Sequence, residues 1–193
     1  MKSGVFVVAE LSGAAAEQVL AVQRWADPRM AAGTPPHITL AGSSGAGPMP
    51  AGTPAARIRE LVEPITNDSA PITVRFERPH RFMQTEIIVL PVDPHGPIRT
   101  LHERIANSGL EFERPRFAFS PHATLSFFPT LTPAMERRLM AVRILEPVVL
   151  NSIQCYVQVE PSAPRLLLEL ALRGSGLGTR DSPRDAIPQG DGA

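Results

Sequence analysis

Ser120-Pro121-His122-Ala123-Thr124-Leu125 decides the fold, because Pro35-Pro36-His37-Ile38-Thr39-Leu40 has already carried the same Pro-His-x-Thr-Leu string 85 positions earlier. Each copy is short, rich in Thr, Leu and Ile, and bounded by Pro or Gly, which predicts a strand. A Pro at the first position of a strand costs no central ladder bond. Successive side chains of a strand point to opposite faces. His37 and Thr39 therefore share one face and Ile38 and Leu40 the other, and the same division holds for His122 and Thr124 against Ala123 and Leu125. Each copy offers an imidazole and a hydroxyl on one side and apolar packing on the other.

An imidazole titrates near neutrality and can take or give a proton at working pH. Two of them, on either side of one reacting atom, can deprotonate an attacker and protonate a leaving group. A hydroxyl two residues further on can donate a hydrogen bond to an oxygen carrying negative charge. These are the parts that phosphodiester cleavage needs when no metal is used, and an in-line displacement puts entering and leaving oxygens on opposite sides of phosphorus. A near-symmetric pair of His-x-Thr strands matches that requirement.

The paired His-x-Thr-Leu strings resemble those of the 2H phosphoesterase superfamily, which includes bacterial 2′-5′ RNA ligase-like proteins and 2′,3′-cyclic phosphodiesterases. The resemblance runs over about residues 4–173. It implies a metal-independent site with no cofactor, in which His37 and His122 transfer protons and Thr39 and Thr124 bind phosphate. The implied reaction is hydrolysis of a 2′,3′-cyclic phosphate on a small nucleotide or RNA terminus, to a 2′-phosphate. Joining or cleavage of 2′-5′ linkages is an alternative, and an RNA- or nucleotide-binding module with weak catalysis is another. Many bacterial relatives place an Arg shortly after the second motif, whereas Ser126-Phe127-Phe128 stands here.

Composition bounds the partners. The 193 residues are 43% hydrophobic and 20% charged, ordinary for a globular domain, and the formal net charge is zero. Neutrality suits a small ligand or an RNA end better than a long duplex. One cysteine, Cys155, allows no intrachain disulfide and fits the cytoplasm. Neither a leader pattern nor a long apolar run argues for secretion or a membrane. A monomer is expected. No Cys-x-x-Cys or His-Glu-x-x-His spacing suggests a metal site, and no Gly-Lys-Ser/Thr string suggests an ATP site.

Around the motifs, residues 4–11 read as a buried strand and 14–26 as a helix closed by Asp27-Pro28, with Trp25 a core anchor. Residues 41–52, with four Gly, two Pro and two Ser, read as a loose surface loop beside the first motif. Thr53-Pro54 and Thr132-Pro133 each look like an N-cap followed by Pro at the first helical position. Strands are expected at 72–76, 86–92, 148–159 and 165–172, and a helix at 97–108 with Gly109 past its end. His80, His95 and His102 lack a repeated context and read as surface or structural. Phe117, Phe119, Phe127 and Phe128 flank the second motif, and core packing is favoured for them over base stacking. Tyr156 and Arg75, Arg78, Arg81, Arg114 and Arg116 are secondary candidates for phosphate or base contacts. The whole predicts an α+β fold. It is two-lobed and pseudo-two-fold, with antiparallel or mixed sheets lining a central cleft and helices outside. Residues 1–174 form one domain and 175–193 a disordered tail.

Overall fold

The computed structural model describes residues 3–82, 85–127 and 131–175. In chain order the elements are β1 (Gly4–Glu10), α1 (Gly13–Ala26), α2 (Pro28–Ala31), β2 (His37–Ala41), α3 (Ala55–Asp68), β3 (Ile72–Val74), β4 (His80–Arg81), β5 (Ile88–Pro91), α4 (Gly96–Ala106), β6 (His122–Ser126), α5 (Pro133–Met140), β7 (Val148–Leu150), β8 (Ser152–Gln158) and β9 (Arg165–Ala171). The fold is α+β, as the motif pattern predicts. Seven strands pair in the order β4-β5-β6-β2-β1-β8-β9, and β3 and β7 make a separate two-stranded sheet. Every ladder in both sheets is antiparallel.

Two lobes meet at the middle of the large sheet. One is β4-β5-β6, the other β2-β1-β8-β9, and the motif strands β2 and β6 touch at a single register pair, Ile38 opposite Ala123. The pseudo-two-fold reaches well beyond the motif letters. In the first lobe Glu10, Ala9 and Val8 face His37, Ile38 and Thr39; in the second, Pro91, Leu90 and Val89 face His122, Ala123 and Thr124. The register then slips in both, between Val7 and Val8 and between Ile88 and Val89. Even the closing bond repeats: Leu11 N–H donates to Pro36 O at 2.8 Å and Val92 N–H to Pro121 O at 3.1 Å.

The face opposite the imidazoles is the core. Ile38, Leu40, Ala123, Leu125, Leu90 and Cys155 are all fully buried. Removing a Leu or Ile side chain from water is worth about 1.5–3 kcal/mol each, which fixes which face turns inward. Helices supply the cover, with α1 against β6, α3 against β9 and α4 against β2. Trp25 is part of this packing, half-buried with the Arg138 guanidinium 3.8 Å above its ring.

Several expectations need correction. Residues 41–52 are not a loose surface loop. Gly42, Ser44, Ala46, Gly47, Pro48 and Met49 are buried, and Val5 and Met49 exchange both backbone bonds, at 2.8 and 2.9 Å. Glycine is needed here for close approach: a Cβ at Gly47 would sit 2.4 Å from the Glu113 carbonyl oxygen. Thr53 does not cap α3, because its hydroxyl donates to Pro50 O instead and Pro54 stands at the cap position. Thr132 does cap α5, accepting from Met135 N–H at 3.2 Å. Asp27 closes α1 as its C-cap, as expected, and also caps an unexpected second short helix, α2. The strand expected over 148–159 breaks at Asn151, whose carbonyl accepts from Leu172 N–H, so β7 joins β3 while β8 joins β1. Most of the expected tail, 176–193, and Phe128 lie outside the described residues. Among the described residues no helix is long and apolar enough to cross a membrane.

Candidate functional site

The β2–β6 contact assembles the site. With Ile38 opposite Ala123 in an antiparallel pair, one step along either strand puts His37 opposite Thr124 and Thr39 opposite His122. Residues opposite each other share a face, so all four motif side chains stand on the face turned away from the core. His37 and His122 are then diagonal neighbours, whose Cβ atoms lie somewhat closer than about 7–8 Å. That spacing admits a phosphate between the two rings. The motif strands lie side by side in one sheet, rather than facing each other from separate sheets across the cleft.

Each imidazole is oriented by its own chain. His37 Nδ1 lies 2.7 Å from Pro35 O, and His122 Nδ1 lies 2.7 Å from Ser120 O. A carbonyl can only accept, so both Nδ1 atoms carry the proton and both Nε2 atoms are left for substrate. A neutral ring then offers Nε2 as a base, and a protonated ring offers it as an acid. Burial is the main influence that lowers the proton affinity of both rings. In His37 it is opposed by the Pro35 hydrogen bond and by the charge of Glu10. In His122 the Ser120 hydrogen bond opposes it, while charge on His37 lowers the affinity further. The two rings therefore feel each other electrostatically. The hydroxyls of Thr39 and Thr124, both half-buried, make no hydrogen bond among the described residues and are free to donate.

The remaining strands add unlike walls to this face. Toward β4, Phe82 sets its ring edge-on to His122, with centroids 5.1 Å apart, and His80 lies edge-on to Phe82 at 6.1 Å. His80 is exposed, as expected; register puts it opposite Val89, and Val89 opposite Thr124, so it lies on the same sheet face as the motif side chains. Toward β8, the Tyr156 hydroxyl donates to Glu10 Oε1 at 2.5 Å. Burial, then that bond, raises the Tyr156 phenol well above its ordinary value and keeps it a donor. Sequence reading did not single out Glu10 or Phe82, since neither belongs to the repeated string; only the register could have found them.

Other candidates resolve differently. His102 is a core residue: its Nδ1 donates to Leu40 O at 2.7 Å and its ring stacks on Phe119 at 3.9 Å and 5°. His95 is exposed at the N-cap of α4. Phe119 is buried, whereas Phe117 and Phe127 are 69% and 43% exposed, so core packing holds for only the first. Arg81 is committed to Glu136 at 3.0 Å and to Thr85 O at 2.7 Å. Arg75, Arg78, Arg114 and Arg116 are exposed away from the motif strands' own ladders. Among the described residues no cluster of three or more His, Cys, Asp or Glu side chains is arranged to hold a metal ion.

Solved structures of similar fold are known. Escherichia coli LigT in its apo form is similar with a TM-score of 0.55 and 19% identity, over 88% of this chain and 97% of that one. LigT complexed with 3′-AMP gives 0.54 and 17%, over 88% and 98%. A protein of Thermus thermophilus gives 0.56 and 14%, over 89% and 98%. At these identities the likeness establishes the fold. No match was found among curated proteins. The model for the 2′-5′ RNA ligase superfamily matches residues 11–154, about three-quarters of the sequence, including both His-x-Thr strands. The chain belongs to the 2′-5′ RNA ligase superfamily, the 2H phosphoesterases.

Proposed function

We propose that this protein hydrolyses a 2′,3′-cyclic phosphate on a nucleotide or RNA terminus to a 2′-phosphate, using His37 and His122 and no metal. The observation that carries the reading is the register of β2 against β6. It gathers two Nδ1-anchored imidazoles and two unengaged hydroxyls on one face. One neutral imidazole takes a proton from water at Nε2 as the water oxygen bonds to phosphorus. The P–O3′ bond breaks, and the other imidazole, protonated, gives its Nε2 proton to O3′. Thr39 and Thr124 donate to the non-bridging oxygens, whose charge grows on the way to the transition state. LigT has been captured with 3′-AMP, with ATP and with NADP+, and small nucleotides of this kind suit the neutral chain here. All four groups come from one chain, which fits a monomer in which residues 1–174 work as one unit. A single, deeply buried cysteine fits a reducing cytoplasm.

The test is turnover of a 2′,3′-cyclic nucleotide in EDTA, with the product identified by ³¹P NMR. Conversion to the 2′-monophosphate is expected, and His37→Ala and His122→Ala should each lower kcat/KM by about 10²-fold or more. No turnover, or turnover that needs added divalent metal, would overturn the reading. The family's description favours one second reading, cleavage or joining of 2′-5′ linkages by the same four groups. Conversion of a 2′-5′ dinucleotide faster than the cyclic substrate would establish it instead.

A further inference from the structure

We propose that Gln23 and His102 are positioning residues. Each ties a helix of one lobe to the motif strand of the other, and together they set how far apart His37 and His122 stand. The proposal rests on the phosphoesterase reading and adds what holds that site in register.

The need for such ties follows from the ladders. β2 and β6 share one register pair, Ile38 with Ala123, whereas β1 with β2 and β5 with β6 each share four. Two strands joined at one pair can tilt or slide against each other. Two groups that must reach one phosphorus tolerate little of that, since a misplacement of about 1 Å can cost on the order of 10²-fold in rate.

Gln23 lies on α1, which follows β1 and so belongs to the lobe of His37. It is buried, and its Nε2 donates to Thr124 O on β6 at 2.8 Å. His102 lies on α4, which follows β5 and belongs to the lobe of His122. It is buried too, and its Nδ1 donates to Leu40 O on β2 at 2.7 Å. The two bonds run in opposite directions between the lobes. One ends on Thr124 itself and the other on the residue after Thr39. Breaking either would strand a buried donor and a strand carbonyl, so neither tie slips freely.

Both ties have a second grip. Asp27, the C-cap of α1, accepts from Phe127 N–H at 2.9 Å just beyond β6. The His102 ring stacks on Phe119 at 3.9 Å and 5°, and Phe119 precedes Ser120, whose carbonyl anchors His122 Nδ1. Gly45 leaves the room for that stack, because a Cβ there would lie 2.9 Å from Phe119 Cβ. Ser44 Oγ accepts from Ser120 N–H at 3.4 Å, and Gly45 N–H donates to Phe117 O at 2.9 Å. One imidazole from α4 thus touches β2 and the chain that leads into β6.

Four variants test this. Gln23→Met keeps length and removes the donor. His102→Phe keeps the stack and removes the donor, and His102→Asn restores a donor near the Nδ1 position. Val148→Ala, buried on β7 in the other sheet, is the control for lost stability alone. With a 2′,3′-cyclic nucleotide and all variants folded, Gln23→Met and His102→Phe should each lower kcat by about 10-fold or more, with KM changed less than about threefold. His102→Asn should recover part of the loss, and Val148→Ala should keep the wild-type kcat. Amide hydrogen exchange needs no turnover. In Gln23→Met and His102→Phe the amides of β2 and β6 should exchange about 10-fold faster, beyond any change at β8 and β9. Wild-type kcat in both variants, an equal fall in Val148→Ala, or exchange that rises evenly over the sheet overturns the proposal. Absent hydrolysis in the wild type, with the expected exchange in the variants, would count against the phosphoesterase reading alone.

Discussion

At His37 and His122, one backbone hydrogen bond to the carbonyl two residues back engages Nδ1 and leaves Nε2 open, the nitrogen that the proposed reaction uses. In the proposed reaction the threonines have a simpler task, to donate one hydrogen bond to a charged oxygen. Thr39→Val and Thr124→Val keep the branched shape and remove only the hydroxyl. Each should cost about 1.5–3 kcal/mol of transition-state stabilisation, roughly 10- to 100-fold in kcat/KM, with little loss of stability. Unchanged kinetics in either variant would remove that hydroxyl from phosphate binding. His102 shows the same residue type in another role. Burial, its largest influence, lowers its proton affinity although the Leu40 and Glu103 contacts oppose this. His37 and His122 are lowered too. Lowered affinity in the folded state means that the unfolded chain binds more protons just below the ordinary value of about 6.5. Stability from these groups is therefore fully present above that pH and is lost as the pH falls through the folded values. Urea midpoints should be level from pH 8 to about 6.5 and decline below it, and a level midpoint down to pH 5 would contradict this. His102→Ala should cost about 2–4 kcal/mol at pH 7.5 by removing a buried ring and leaving Leu40 O unpaired.

Among the elements, the segment after β2 shows how composition can mislead. Its glycines and prolines look like a flexible connector, yet it is threaded between Val5, Glu113 and Phe117. Gly45 has φ +69°, and a Cβ there would lie 2.3 Å from His102 Nε2. Gly45→Ala should therefore destabilise the fold by at least about 1–3 kcal/mol from backbone strain alone, measured by urea denaturation. A neutral effect would mean that the segment is as loose as its composition suggests. The motif strands themselves were legible because His-x-Thr-Leu alternates cleanly and occurs twice. The break at Asn151 is passed over, because 148–159 reads as one apolar run; yet buried Val148 and Leu150 are one residue out of phase with Ile153, Cys155 and Val157, and they belong to another sheet. The partners β1 and β5 share a register but no letters at the position facing each imidazole, Glu10 against Pro91. Register is set by backbone bonds and turns, which leave no repeated residue to find, and so the asymmetry of the site was invisible in the sequence.

Over the whole molecule, the pattern of motif, α+β class and two related lobes was readable from the two strings. The joining of the lobes into one seven-stranded sheet was not, because it rests on a single pair, Ile38 with Ala123, of ordinary apolar residues. The integrity of that sheet can be followed at Cys155, which is fully buried on β8 and whose thiol is pushed up to about 12 by burial. Reaction with a disulfide reagent should be slower than in the unfolded chain by on the order of 10³-fold or more, and should reach one thiol on denaturation. Rapid labelling under native conditions would contradict a closed β1–β8 pairing. The central claim is that both His-x-Thr strands converge on a single phosphate. A crystal structure with a bound 2′-nucleoside monophosphate tests it most directly. It should place phosphate oxygens within about 2.6–3.2 Å of Nε2 of His37, Nε2 of His122 and the hydroxyls of Thr39 and Thr124. A phosphate held by only one motif, or bound elsewhere on the molecule, would contradict it.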